Sequence, residues 1–222
     1  VLRPYREMDM SGWIDGVMVV LILTNLALLG TSRITVCIRI IALQGVVLGT
    51  LPMLAGTEVT LRLALLTAAT VVLKGVVFPW LLLRAMRKAE IQREVEPYAG
   101  YILSVMVGLL SLAGAVWLAK GLPLPGAMSH TLALPVALFM IFVGLFTICS
   151  RRKAISQILG YIVMENGMYA FGAVILDEVP ALVELGVLLD VFVAVFVMGV
   201  AIYHIRREFD HMDVDQLDTL KG

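Results

Sequence analysis

Three residues of this chain have chemistry at odds with their neighbours: Glu165, Asp190 and Lys74. Glu165 ends the run Arg151-Arg152-Lys153-Ala154-Ile155-Ser156-Gln157-Ile158-Leu159-Gly160-Tyr161-Ile162-Val163-Met164-Glu165, and Asn166-Gly167 follow it. At a helical rise of about 1.5 Å per residue, it lies roughly 18 Å from Lys153 and as far from Asp177, mid-way through a hydrocarbon layer about 30 Å thick. Asp190, in Leu188-Leu189-Asp190-Val191-Phe192, sits about 15 Å from the outer end of the last apolar run, and Lys74, in Val72-Leu73-Lys74-Gly75-Val76, about 15 Å from Arg84. A charge at that depth costs at least about 2.5–3.5 kcal/mol unless it is neutralised, paired or turned to a wet interior. Such residues suit proton or ion movement. Static readings stand beside that one: Glu165 as a protonated hydrogen bonder between helices, Asp190 with Lys74 as an ion pair fixing packing.

A second tier of polar residues lies nearer the surfaces. Arg39, with Gln44 deeper, is on the second apolar run; Arg62 and Glu184 each sit one turn into the outer ends of the third and seventh. Snorkelling accounts for Arg39 and Arg62. Asn25, Asn166 and Gln157 are expected to bond between helices, and Gly75 with Pro79 to mark close packing and a kink. Trp13, Trp80, Trp117 and Tyr101 fall near span ends, where an interfacial aromatic belt explains them.

The elements that must position these residues are membrane helices. The 222 residues are 60% hydrophobic and 15% charged, against about a quarter charged in soluble domains, and mean hydropathy is +0.97. With 17 basic and 17 acidic residues the net charge is zero, and no charged block invites nucleic acid. The stretch Val1 to Ser11 is polar and lacks the apolar run of a signal peptide, so insertion is expected to rely on the helices. Two cysteines, Cys37 and Cys149, and three histidines are scattered without ligand spacing. No cofactor or metal is expected in this chain, and both cysteines are expected to act as small apolar packers.

Apolar runs near spanning length fall at 12–31, 34–55, 59–83, 98–119, 131–149, 154–176 and 180–205. Twelve basic residues flank one side of them (Arg33, Arg39, Arg84, Arg87, Lys88, Arg93, Arg151, Arg152, Lys153, Arg206, Arg207 and Lys221), and only Arg3, Arg6 and Lys120 the other. The positive-inside rule then puts the amino terminus outside and the carboxyl terminus in the cytoplasm, which seven spans satisfy. The layout occurs twice, about 120 residues apart: a span ending in Ser32-Arg33 or Ser150-Arg151-Arg152, then one carrying Gln44-Gly45 or Glu165-Asn166-Gly167, then a third. The fold expected is all-α integral membrane: seven transmembrane helices, as two parallel three-helix repeats joined by one extra span. Residues 1–96 form the first unit with its cytoplasmic loop, 97–130 the connecting span and outer loop, 131–205 the second unit and 206–222 a cytoplasmic tail.

Glu165-Asn166-Gly167-Met168-Tyr169 behind the Arg151-Arg152-Lys153 cluster resembles the component E family of hydrogenase-4. So do Asn25 to Arg33, Ile38-Arg39 with Ala42-Leu43-Gln44-Gly45, and Leu65-Leu66-Thr67 through Leu73-Lys74-Gly75 to Pro79. The last three spans are also similar to the small K subunit of complex I and the C subunit of multisubunit cation/proton antiporters. Glu165 falls on that complex I subunit's mid-membrane glutamate; its other glutamate would fall near Val195 or Phe196, over a turn from Asp190.

The resemblance implies a non-catalytic subunit of a complex I-related nickel–iron hydrogenase, of the formate hydrogenlyase type, in a prokaryotic plasma membrane. It would couple redox chemistry to proton or sodium translocation. Antiporter-like and anchor membrane subunits and peripheral hydrogenase subunits would be its partners, the latter holding the nickel–iron centre and iron–sulfur clusters. An antiporter C-type subunit and a purely structural spacer of the membrane arm are the alternatives.

Overall fold

The computed structural model describes residues 3–55, 61–88, 100–122 and 132–175, with isolated positions at 188, 191, 195 and 199. Among the described residues the chain is built of helices: α1 (Arg3–Gly30), α2 (Ile34–Ala55), α3 (Leu61–Val72), a π turn (Leu73–Val77), α4 (Phe78–Lys88), α5 (Tyr101–Gly121), α6 (Ala133–Ser150) and α7 (Ala154–Ile175). Among the described residues, four stretches are long and apolar enough to cross a bilayer: Ile34–Leu51, Thr67–Arg84, Tyr101–Gly121 and Ala133–Ser150. At 22 residues, or about 33 Å of helix, α7 also has the length. Ser156, Gln157, Glu165 and Asn166 make it less apolar than those four.

The surface of the described helices is more apolar than that of a protein folded in water, and part of the interior more polar. Ile102, Leu110 and Trp117 are 81%, 70% and 77% exposed, while Asn25, Gln44, Lys74, Glu165 and Asn166 are all 3% exposed or less. Large apolar side chains turned outward, over a mainly apolar interior that also holds these polar groups, suit a hydrocarbon solvent, in which only the interior can satisfy polar groups.

Between helices of equal apolarity, packing rests on close backbone approach. The most extensive contact joins α6 and α7. A Cβ on Gly144 would lie 2.5 Å from the Met164 nitrogen and one on Gly160 2.9 Å from the Gly144 carbonyl oxygen, so glycine is required where these backbones meet. On α5, the small residues Ser104, Gly108 and Ala115 are buried along one face, and the helix packs on α1 and α6 through it.

Two long-range hydrogen bonds fix how α1 lies against α6. At one end the Leu132 N–H, just before α6, donates to Asp15 Oδ1 at 3.2 Å. At the other, Arg151 Nη2, just after α6, donates to the Leu29 carbonyl oxygen at 3.3 Å. The start of α6 therefore meets the early part of α1 and its end meets the end of α1, so the two run parallel. The partners are 117 and 122 residues apart in sequence.

The third apolar run is one rod with a defect in it. The Phe78 N–H bonds to the Leu73 carbonyl oxygen, five residues back. Pro79 supplies the physical reason: it has no N–H, and its ring crowds the carbonyl four residues earlier, that of Gly75. The chain absorbs this by widening for one turn. The kink expected at Gly75 and Pro79 is thus a π turn, and Lys74 is inside it. Such turns often occur at functional sites.

Candidate functional site

Lys74 is the centre of the site. Its side chain leaves the π turn past α2, where Gly45 makes room: a Cβ at that position would lie 2.5 Å from Lys74 Cβ and 3.3 Å from its Cδ. The ammonium then reaches α7. Nζ donates to Glu165 Oε1 at 2.7 Å and to Asn166 Oδ1 at 2.9 Å. The ring of Tyr169, one turn beyond Glu165, has its centroid 5.4 Å from Nζ, within cation–π range. Lysine and glutamate side chains are 2% and 0% exposed. Lys74 and Glu165 are therefore one ion pair, 91 positions apart in sequence, joining the third apolar run to the sixth. The carboxylate that Lys74 meets among the described residues is thus Glu165, while Asp190, its expected static partner, lies outside them.

The pair is not saturated. Among the described residues, Glu165 Oε2 and Asn166 Nδ2 are buried without a hydrogen-bond partner, as are Gln44 Oε1 and the hydroxyls of Thr67 and Thr70. Gln44 Nε2 donates to Thr24 Oγ1 at 3.1 Å, so α1 and α2 meet near the same depth. Glu165 Oε2 is thus left open to a further hydrogen-bond donor beside the ammonium.

The other candidate residues divide clearly. Asn166, placed in the second tier, is a direct ligand of Lys74. Arg39 is exposed on α2, as snorkelling requires. Arg62 lies on α3, but its side chain is outside the described residues, and Asp190 and Glu184 lie outside them altogether. Two of the expected interhelical bonders act locally instead. Asn25 Nδ2 donates to the Leu21 carbonyl oxygen on its own helix, at 2.7 Å. Gln157, largely exposed, donates to the Arg151 carbonyl oxygen at 3.0 Å. Cys37 is buried in the core as expected, whereas Cys149 is exposed.

Sequence reasoning misses Arg151, which it groups with the cytoplasmic charges. The residue is 4% exposed; it bonds the Leu29 carbonyl at the end of α1 and stacks 5.0 Å from the Tyr101 ring. Nothing in a triplet of basic residues singles out the one that turns inward. Thr67 and Thr70 are missed as well, although the steps of three and four residues from 67 to 70 to 74 place them on one helix face with Lys74.

Known proteins resemble this chain in sequence. Residues 132–222 match the family of NADH-ubiquinone/plastoquinone oxidoreductase chain 4L, whose stretch here includes α6 and α7 with Glu165. The chain is 30% identical over 161 residues to the hydrogenase-4 component E of Escherichia coli K12, covering 72% of this chain and 74% of that one. It is 33% identical over 205 residues to an uncharacterized protein of Mycobacterium tuberculosis, covering 90% of this chain and 92% of that one. No solved structure matches it.

Proposed function

This chain belongs to the hydrogenase-4 component E family, and we propose that it is the non-catalytic membrane subunit coupling the redox chemistry of a complex I-related nickel–iron hydrogenase to proton (or sodium) translocation. The match to chain 4L supports the coarser part of that reading, a membrane subunit of a complex I-like assembly. The observation that carries the finer part is the buried Lys74–Glu165–Asn166 cluster, with one carboxylate oxygen unpaired. An ion pair kept only for packing would be expected to satisfy all its polar atoms.

In this reading the chain has seven spans, its amino terminus outside and its carboxyl terminus in the cytoplasm. Two parallel three-helix units are joined by α5, and the parallel run of α1 and α6 supports that arrangement. Nickel–iron and iron–sulfur centres belong to peripheral partner subunits. Antiporter-like and anchor subunits flank this chain in the membrane.

The test is coupled ion movement in proteoliposomes holding the whole complex, measured alongside hydrogen turnover. Glu165→Gln keeps size and hydrogen bonding but cannot release a proton; it should lower the yield of the complex, because Lys74 loses its anion, and abolish ion movement in the complex that does assemble. A Glu165→Gln complex that assembles and pumps normally would sink the mechanism. Subunit and metal content of the purified complex tests the partners: nickel co-purifying with this chain is expected, and an assembly of antiporter subunits alone would point to the antiporter.

A further inference from the structure

Thr67 and Thr70 differ from the other described threonines, whose hydroxyls each have a partner; Thr35 meets Met86 Sδ and Thr31 the Arg33 N–H. Thr24, Thr50 and Thr147 donate back into their own helices, to the carbonyl oxygens of Val20, Val47 and Val143 at 2.9, 2.8 and 2.7 Å. That local bond is the usual recourse of a threonine hydroxyl in a helix. Thr67 and Thr70 are 3% and 1% exposed, yet among the described residues neither hydroxyl has a partner. A buried hydroxyl left unbonded costs about 1–3 kcal/mol, and next to other buried polar groups the partner that removes this cost is bound water.

Their position gives that water a direction. At about 100° per residue, positions 67, 70 and 74 fall within roughly 60° of arc, on the face that packs on α2. Thr70 confirms the face: a Cβ on Gly49 of α2 would lie 3.5 Å from Thr70 Cγ2, one turn beyond the Gly45 notch that holds Lys74. Steps of four and three residues rise about 6 and 4.5 Å. One water making two hydrogen bonds of about 2.7–2.8 Å spans a gap of that order.

We propose that the Thr67 and Thr70 hydroxyls hold a file of bound waters that carries protons between the Lys74–Glu165 pair and the end of the bundle where α3 begins. A proton leaving the pair passes to the first water, which releases one of its own to the next, so no charge is created or lost along the file. By the charge asymmetry that end is extracytoplasmic. The proposal rests on the translocation reading above and adds to it the route on one side of the pair.

The whole complex in proteoliposomes tests it. Thr70→Val and Thr67→Val keep the shape and remove the hydroxyl, and Thr70→Ser keeps the hydroxyl. Each valine should slow proton translocation about tenfold, equivalent to one lost hydrogen bond, with the serine variant near wild type. Valines that pump at the wild-type rate, beside a Glu165→Gln complex that does not, would overturn the file and leave the pair's role standing. If Glu165→Gln also pumps normally, the translocation reading falls and the file with it. Should a valine variant fail to assemble, radiolytic hydroxyl-radical labelling of Thr67→Cys and Thr70→Cys complexes decides. Cysteines beside bound water should oxidise well ahead of Cys37, which is packed among apolar side chains; oxidation no faster than that of Cys37 would overturn the proposal.

Discussion

Lys74 and Glu165 can be told apart from a packing pair by what happens when each is removed singly and then together. Breaking a buried ion pair from one side leaves the other charge uncompensated and costs about 3–5 kcal/mol, whereas replacing both partners by neutral groups is often nearly free. Lys74→Met should therefore lower the yield and thermal stability of the complex, because Glu165 loses its cation. Lys74→Met with Glu165→Gln should recover most of that stability and still not translocate ions. Melting temperature and ion movement, read on the same preparations, check this. A double variant that is stable and pumps would show the pair to be dispensable for coupling. Gly45 belongs to the same scale. Gly45→Ala would put a methyl group 2.5 Å from Lys74 Cβ, and this carbon cannot swing away as the tip of a side chain could. Translocation should fall although no ionisable group has changed, and normal pumping would mean that Lys74 reaches Glu165 without the notch.

The π turn holds Lys74 where it can reach Glu165, and Pro79 is the reason the turn exists. In Pro79→Ala the restored N–H can bond the Gly75 carbonyl oxygen and the turn can close into ordinary helix, which swings α3 relative to α4 by up to about 100°. Lys74 would then point away from Glu165. Ion movement per hydrogen turned over should drop severalfold in the variant, and a wild-type ratio would mean that packing on α2 holds the turn open. At this scale the sequence is informative about some features and silent about others. Apolar runs of spanning length locate α2, α5 and α6 to within a few residues, because length and apolarity are local properties. Gly75 and Pro79 announce a defect but not its kind, since a proline can be absorbed by a bend or by a wider turn. The mid-helix position of Glu165 and Lys74 is readable by counting residues, while their pairing is not. A partner 91 positions away is set by how helices rotate about their axes, and Gly45 fixes that rotation only through contact. Arg151 is illegible for a related reason: its inward turn depends on the end of α1 arriving beside it.

The parallel run of α1 and α6 constrains the whole chain. A chain that crosses a membrane reverses direction at every span, so two spans run parallel only when an odd number of crossings separates them. Were α5 to lie flat on the surface, only α2 and the α3–α4 rod would intervene, and α6 would run antiparallel to α1. With α2, the α3–α4 rod and α5 all crossing, α1 is the first span and α6 the fifth. Both then run in the same direction, as the contacts at Asp15 and Leu29 require. The apolar length of α5, 21 residues, agrees with a full crossing. Two more helices decide where the chain finishes. The descent of α6 and the return of α7 bring it back to the side from which α6 began. The seventh apolar run, 180–205, lies outside the described residues, and its crossing remains an expectation that rests on the twelve basic residues flanking one side. Reporter fusions at Ser129, before α6, and at Gly222 should therefore report opposite sides, with Gly222 in the cytoplasm. Both reporters on one side would remove the seventh span and with it the second three-helix unit. The pairing of Lys74 with Glu165 would survive that result, because it depends only on the third and sixth spans.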